Sequence, residues 1–238
     1  MPTALVTGSN RGLGFELVRQ LSDQGWAVVA TCRDPMAARD LNALAATSEG
    51  RIKTMPLDVA KKASVEDCAA KLGNLPIDLL ICNAGISGPK PPLVSGAKGE
   101  RIQDFDDEKW FEVLRTNLLG PVRVVGLLAD NVSASSRKTI GFITTRMANI
   151  EENKDGAFYM YRASKGALNT AIKNLSLELG KRGVTCIGLH PGWVRTDFSP
   201  AGIVEPEDSA RGLLNVMINA TAAENGRFID YTGERVPW

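Results

Sequence analysis

Short runs of apolar and β-branched residues recur along the chain at 4–7 (ALVT), 27–31 (AVVAT), 52–55 (IKTM), 79–83 (LLICN), 140–145 (IGFITT), 185–190 (TCIGLH) and 227–231 (RFIDY). Most are nearly continuous rather than alternating, the pattern of strands covered on both faces. Between them, apolar residues return every three or four positions over 13–24, 36–47, 64–72, 107–129, 158–181 and 207–222, a spacing that predicts helices. Strand and helix therefore alternate. The order predicts an α/β fold: a single doubly wound, Rossmann-type domain over 1–238, with a seven-stranded parallel sheet and helices on both faces. The stretch SGPKPPLVSGAKGERIQD (87–104), rich in Gly, Pro and Lys, reads as a long surface loop.

Composition narrows the function. With 238 residues and 44% of them hydrophobic, the chain can bury one sizeable core. Its 28 Lys and Arg nearly cancel 27 Asp and Glu, so no global field draws it to nucleic acid or an anionic membrane. No run of about 18 apolar residues is present, and no charged leader precedes ALV, so a cytoplasmic location is expected. Cys32, Cys68, Cys82 and Cys186 lack CxxC spacing and His190 is the one histidine, so no metal site is expected. They read as free thiols, with Cys82 and Cys186 buried in strands. Trp238 is expected to tuck its ring against the body or a partner subunit.

The first strand runs into TGSNRGLG (7–14), with a helix opening at Leu13. A helix start there offers unpaired N–H groups and partial positive charge to a phosphate. Gly8, Gly12 and Gly14 let the backbone turn tightly and approach a pyrophosphate, in GxxxGxG rather than GxGxxG spacing. Folds that prefer NAD place an acid at the end of the second strand. Here the chain reads Cys32, Arg33, and a guanidinium suits a 2′-phosphate, which predicts NADP(H). Arg11 is expected to reach the same phosphate from the other side. Asp34 leaves NAD open should Arg33 point away.

TGSNRGLG, then NAG (83–85), Asn117 in a long helix, YRASK (161–165) and HPGWVRTD (190–197) occur in an order that resembles the short-chain dehydrogenase/reductase family. HPGWVRTD and the ending NGRFIDYTGERVPW resemble its carbonyl-reductase branch, with the C-factor-like and sniffer-like proteins. Reducing a carbonyl with a nicotinamide needs a hydride on carbon and a proton on oxygen, and a phenol beside that oxygen can give the proton. Bringing a tyrosine from ~10 to about 7 needs roughly 4 kcal/mol of preference for the phenolate. One ammonium about 4 Å away supplies on the order of 4 kcal/mol at an effective dielectric near 20. Lys165 lies one helical turn past Tyr161. Tyr161 is therefore the expected acid/base, and Tyr159 is left to packing or to the substrate wall.

The resemblance further implies that Lys165 holds the nicotinamide ribose and that Asn117 anchors a water through which protons pass. Where the family usually has serine, the fifth strand offers Thr145, which keeps the hydroxyl but stiffens χ1. Thr144 is the fallback, expected on the opposite face. Asn10 and Leu13 join the glycine loop in the implied cofactor set. Asn83, Ala84 and Gly85 would pass along the adenosine ribose, Asp58 and Val59 would touch the adenine, and Pro191, Gly192 and Val194 would bring Thr196 to the carboxamide. Trp193, Phe198, Ile203 and Met147 are candidates for an apolar substrate wall, and His190 reads as a structural strand-end residue.

The expected function is NADPH-dependent reduction of a small aldehyde or ketone. A weakly catalytic NADP(H)-binding sensor or signalling protein is the alternative; a nucleotide-sugar epimerase would need a larger C-terminal domain. The small face Ala163, Ala167, Ala171 would let two helices approach closely, and the resemblance implies a homodimer or homotetramer, with a monomer left open.

Overall fold

A computed structural model describes residues 1–88, 106–154 and 156–238. The expected loop at 87–104 lies outside the described residues except for Ser87 and Gly88. Seven strands, β1 (Thr3–Thr7), β2 (Ala27–Cys32), β3 (Ile52–Pro56), β4 (Leu79–Cys82), β5 (Thr139–Ile143), β6 (Thr185–His190) and β7 (Arg227–Asp230), form one parallel sheet. Their order is β3-β2-β1-β4-β5-β6-β7, so the winding reverses between β1 and β4. Ligands bind at such a reversal, in the crevice beyond the carboxyl ends of the strands.

Continuous apolar strands are explained by what covers them. Ala4 and Val6 face one layer and Leu5 the other, and all three are fully buried. On the first side lie α1 (Gly12–Asp23), α2 (Arg39–Thr47) and α7 (Pro206–Ile218), through Leu17, Leu21, Leu41, Leu213 and Met217. On the second lie α3 (Lys62–Leu72), α5 (Gly120–Ser133) and α6 (Tyr159–Leu179), through Val65, Leu128, Leu168 and Ile172, which pack on Leu80, Ile140 and Phe142. Burying each such side chain contributes about 1.5–3 kcal/mol.

One predicted helix is two. The 107–129 stretch divides into α4 (Asp107–Leu114) and α5, joined by a π turn over Arg115–Leu119 in which the Gly120 N–H donates to the Arg115 carbonyl. Pro121 has no N–H to give the carbonyl of Asn117, four residues earlier, and Gly120 packs so closely that a Cβ would lie 2.9 Å from Val59 Cγ2. Such one-turn π segments concentrate at functional sites. β5 also stops earlier than expected, at Ile143, so Thr144 and Thr145 lie beyond the strand and Thr145 opens a 3₁₀ turn over Arg146–Ala148.

The chain end folds back on the sheet. Trp238 stacks on Phe228 at 5.3 Å and 21°, over Gly188, and Asn149 Nδ2 donates to the Pro237 carbonyl at 3.3 Å. All four cysteines are buried free thiols. Ala163 is exposed on α6, with Ala167 and Ala171 half-buried. No helix among the described residues is long and apolar enough to cross a membrane.

Candidate active site

The carboxyl ends of β1, β2, β4, β5 and β6 open into one cavity of about 1390 Å³. At its β1 end, Gly8 has φ +72°, and a Cβ there would lie 2.9 Å from Ala84 Cα. A Cβ on Gly14 would lie 2.2 Å from the Gly8 carbonyl oxygen. No other residue fits that turn. Helix α1 begins at Gly12, and its N-cap Arg11 provides no side-chain cap for the first turn. The N–H groups at that end are available to a phosphate, with Asn10 and Leu13 at the cavity wall.

Asn83 braces this loop. Its Nδ2 donates to the carbonyls of Thr7 and Gly8 at 2.9 and 3.1 Å, while its backbone N–H and that of Ala84 donate to the Thr7 hydroxyl. The amide is thereby occupied in holding two strand ends together, and Thr7 is a contributor that sequence reasoning passed over. Its signal was a threonine directly before the first glycine.

At the β2 end, Asp34 Oδ1 accepts from the N–H groups of Met36 and Ala37 at 3.0 and 3.2 Å. That oxygen caps the turn that leads into α2, while Asp34 also borders the cavity. Arg33 is exposed at the cavity and makes no ion pair among the described residues. Arg11 is placed otherwise than expected. Its guanidinium pairs with Asp197 at 3.2 Å, bridging the mouth of the crevice, so it is not directed at a phosphate beside Arg33. Asp58 accepts from the Ala60 N–H at 3.1 Å and pairs with Lys61 at 3.6 Å, and Val59 is buried against Gly120.

At the β5 end, Tyr161 and Lys165 stand on the first turns of α6, both lining the cavity. The Lys165 ammonium lies 6.0 Å from the centroid of the Tyr161 ring and donates to the Ile143 carbonyl at 2.7 Å. Lys165 is buried, which lowers its pKa to about 8, with Cys82 opposing. Burial pushes Tyr161 up to about 12, against a hydrogen bond from Thr145 that acts downward. The expected depression of the phenol is thus not what this environment produces. Burial outweighs the Thr145 hydrogen bond, and the phenol stays protonated at neutral pH.

The Thr145 hydroxyl accepts from the Met147 N–H at 3.2 Å and sits beside Tyr161. Thr144 also borders the cavity, and its hydroxyl donates to Asn169 Oδ1 at 2.6 Å. Asn117 is fully buried and does not line the cavity with its side chain. Its Oδ1 accepts from the Ile86 N–H, and its Nδ2 donates to the Ile86 carbonyl and to the Ser164 hydroxyl. Pro121, lacking an N–H, gives the Asn117 main-chain carbonyl no α-helical donor. An added Cβ on Gly85 would lie 3.3 Å from Asn117 Oδ1 and 3.6 Å from Lys165 Nζ, which places both polar groups close to one glycine.

The 191–199 segment closes the cavity from above. The Pro191 carbonyl accepts from the Ser209 hydroxyl at 2.7 Å, Gly192 turns at φ +81°, and Val194 bridges to Val204. Thr196 arrives over the glycine loop, its Cγ2 3.4 Å from where a Gly12 Cβ would be. Phe198 stands 5.8 Å from the Tyr161 ring, and Trp193, whose indole donates to Ser199, and Met147 also face the cavity. Ile203 is 73% exposed and outside the lining, so it does not serve as a wall. Tyr159 is also outside the lining, and Phe158, which the sequence did not single out, takes a place in it. His190 lines the cavity at the end of β6 with burial lowering its pKa, opposed by Asp230.

The profile of the short chain dehydrogenase family matches residues 2–202. C-signal of Myxococcus xanthus is 37% identical over 164 residues, 68% of this chain and 93% of that protein. The carbonyl reductase Sniffer of D. melanogaster superimposes over the whole of both chains with a TM-score of 0.89 at 28% identity. An NADPH-bound carbonyl reductase from chicken fatty liver superimposes over 100% of this chain and 99% of its own with a TM-score of 0.88 at 29% identity. The glycine turn at the β1–β4 reversal and the Tyr161–Lys165 pair thus stand on a chain that belongs to the short-chain dehydrogenase family.

Proposed function

We propose that this protein is an NADPH-dependent oxidoreductase that reduces the carbonyl of a small aldehyde or ketone. One observation carries the reading: a single cavity has a glycine turn and the N-terminus of α1 at one end and Thr145, Tyr161 and Lys165 at the other. The similarity to an NADPH-bound carbonyl reductase supports both the cofactor and the reaction.

The first turn of α1 would hold the pyrophosphate, and Arg33 the 2′-phosphate, through paired charge-assisted hydrogen bonds. Asp34 holds the backbone N–H groups of 36 and 37 through Oδ1, which favours Arg33 as the group for this position. When bound, the reduced nicotinamide supplies a hydride to the carbonyl carbon. Tyr161, which burial keeps protonated, gives its proton to the carbonyl oxygen. The Thr145 hydroxyl, oriented by the Met147 N–H, steadies that oxygen. Lys165 stabilises the phenolate left behind, from a buried position where its charge is little screened. The Asn117 carbonyl would anchor the water through which the proton is restored. Met147, Phe158 and Phe198 make the substrate end apolar.

Similarity to a protein named C-signal favours one other reading, a cofactor-binding signalling protein with little catalysis. The purified protein, offered NADPH or NADH with a panel of aldehydes and ketones, separates the two. Turnover with NADPH preferred supports the reductase; tight NADPH binding with no turnover across the panel supports the signalling protein.

A further inference from the structure

Beside Tyr161, and with no part in the reaction as drawn above, Arg162 holds two separate backbone points. Its Nη1 donates to the Met147 carbonyl at 2.8 Å and its Nε donates to the Ala157 carbonyl at 3.0 Å. Its own N–H donates to the Phe158 carbonyl at 2.8 Å. Met147 and Phe158 are both cavity walls. Phe158 has φ 59° and ψ 41°, a left-handed conformation that a bulky residue adopts only where its surroundings impose it. We propose that Arg162 is a specificity-determining positioning residue, strapping Met147 and Phe158 to α6 and so setting the width of the substrate end.

A guanidinium suits this task. Its planar fork offers donors in fixed directions, so two carbonyls from different parts of the chain are held at a fixed separation. Both bonds are charge-assisted and partly buried, and an ammonium on a flexible stem has no planar fork to fix the separation of the two carbonyls. Without the strap, Phe158 is released to the ordinary extended region and its ring leaves the wall. The opposite wall shifts as well, because the Met147 N–H that orients the Thr145 hydroxyl belongs to the same strapped turn.

The contacts stand by themselves, while the substrate-width role rests on the reductase reading. Arg162→Met keeps the apolar stem and removes both donors. Its kcat/KM should fall roughly tenfold for a compact aliphatic aldehyde and clearly less for a bulky aromatic one, while NADPH affinity stays unchanged. Phe158→Gly, which accepts the left-handed backbone but lacks the ring, should shift the preference the same way with Arg162 intact. Arg162→Lys should fall between. In amide hydrogen exchange, the backbone between Met147 and Phe158 should exchange faster in Arg162→Met, and the body of α6 should not. Equal losses on both aldehydes, an unchanged ratio, or a shift in Arg162→Met that Phe158→Gly fails to reproduce would overturn the proposal. So would unchanged exchange between 147 and 158. A wild-type protein that reduces neither aldehyde contradicts the reductase reading instead, and the exchange measurement still decides the strap.

Discussion

Asn117 and Ile86 are bound to each other twice: Asn117 Oδ1 accepts from the Ile86 N–H at 2.8 Å, and Asn117 Nδ2 donates to the Ile86 carbonyl at 2.8 Å. The pair ties the π turn between α4 and α5 to the segment leaving β4, at the reversal of the sheet. Asn117→Ala leaves two backbone groups of Ile86 without partners, for a loss of about 2–4 kcal/mol. Calorimetry should show the Tm falling by roughly 5–15 °C. An unchanged Tm would mean that water replaces the amide and that the π turn needs no such tie.

Arg33 should decide between the two nicotinamide cofactors. Its loss in Arg33→Ala removes charge-assisted hydrogen bonds worth about 1.5–3 kcal/mol, so NADPH affinity should drop on the order of tenfold to a hundredfold. NADH affinity should hardly move. Titration of the two cofactors against wild type and variant checks this, and equal losses for both would place the 2′-phosphate elsewhere.

The buried ammonium makes stability depend on pH in a stated direction. Lys165 has a folded pKa of about 8 against 10.5 for an ordinary lysine, so the unfolded chain binds more protons between those values. Its contribution to stability is full above 10.5 and is lost as pH falls through about 8. Tyr161 acts in the opposite sense, with a contribution full below 10.0 and lost as pH rises through about 12. Melting curves of the cofactor-free protein from pH 7 to 10 should therefore gain a rising component that Lys165→Met lacks. Parallel profiles would contradict the burial of a charged amine.

Much of this was legible before any coordinates. β1, β2 and β6 announce themselves as apolar runs because both faces of the sheet are covered, and the glycine turn is legible because only glycine fits beside Ala84 and the Gly8 carbonyl. The break at Arg115–Leu119 was not, since apolar spacing runs on through it and the cause is one missing N–H at Pro121. Nor could spacing show that Arg11 reaches Asp197, 186 residues away, or that Asn117 spends its amide on Ile86. The sign of the Tyr161 shift was also out of reach. A sequence places a lysine one turn from a tyrosine but does not say how much water either retains.

Trp238 and Gly188 should behave as one unit. The ring stacks on Phe228, and a Cβ on Gly188 would lie 2.9 Å from its Cη2. Trp238→Ala should cost about 1–3 kcal/mol in urea unfolding. Gly188→Ala should displace the same ring, so the double variant should lose less than the sum of the two. Strict additivity would show that the ring does not rest there in solution.

The proton donor is the point on which the functional account turns. Tyr161→Phe keeps the ring, its contact with Phe198 and the Lys165 bond to Ile143, and removes only the hydroxyl. Single-turnover reduction of an aldehyde by the NADPH-loaded protein should slow by roughly 10²–10⁴-fold, with NADPH affinity within about twofold of wild type. Reduction at the wild-type rate by Tyr161→Phe would contradict the account.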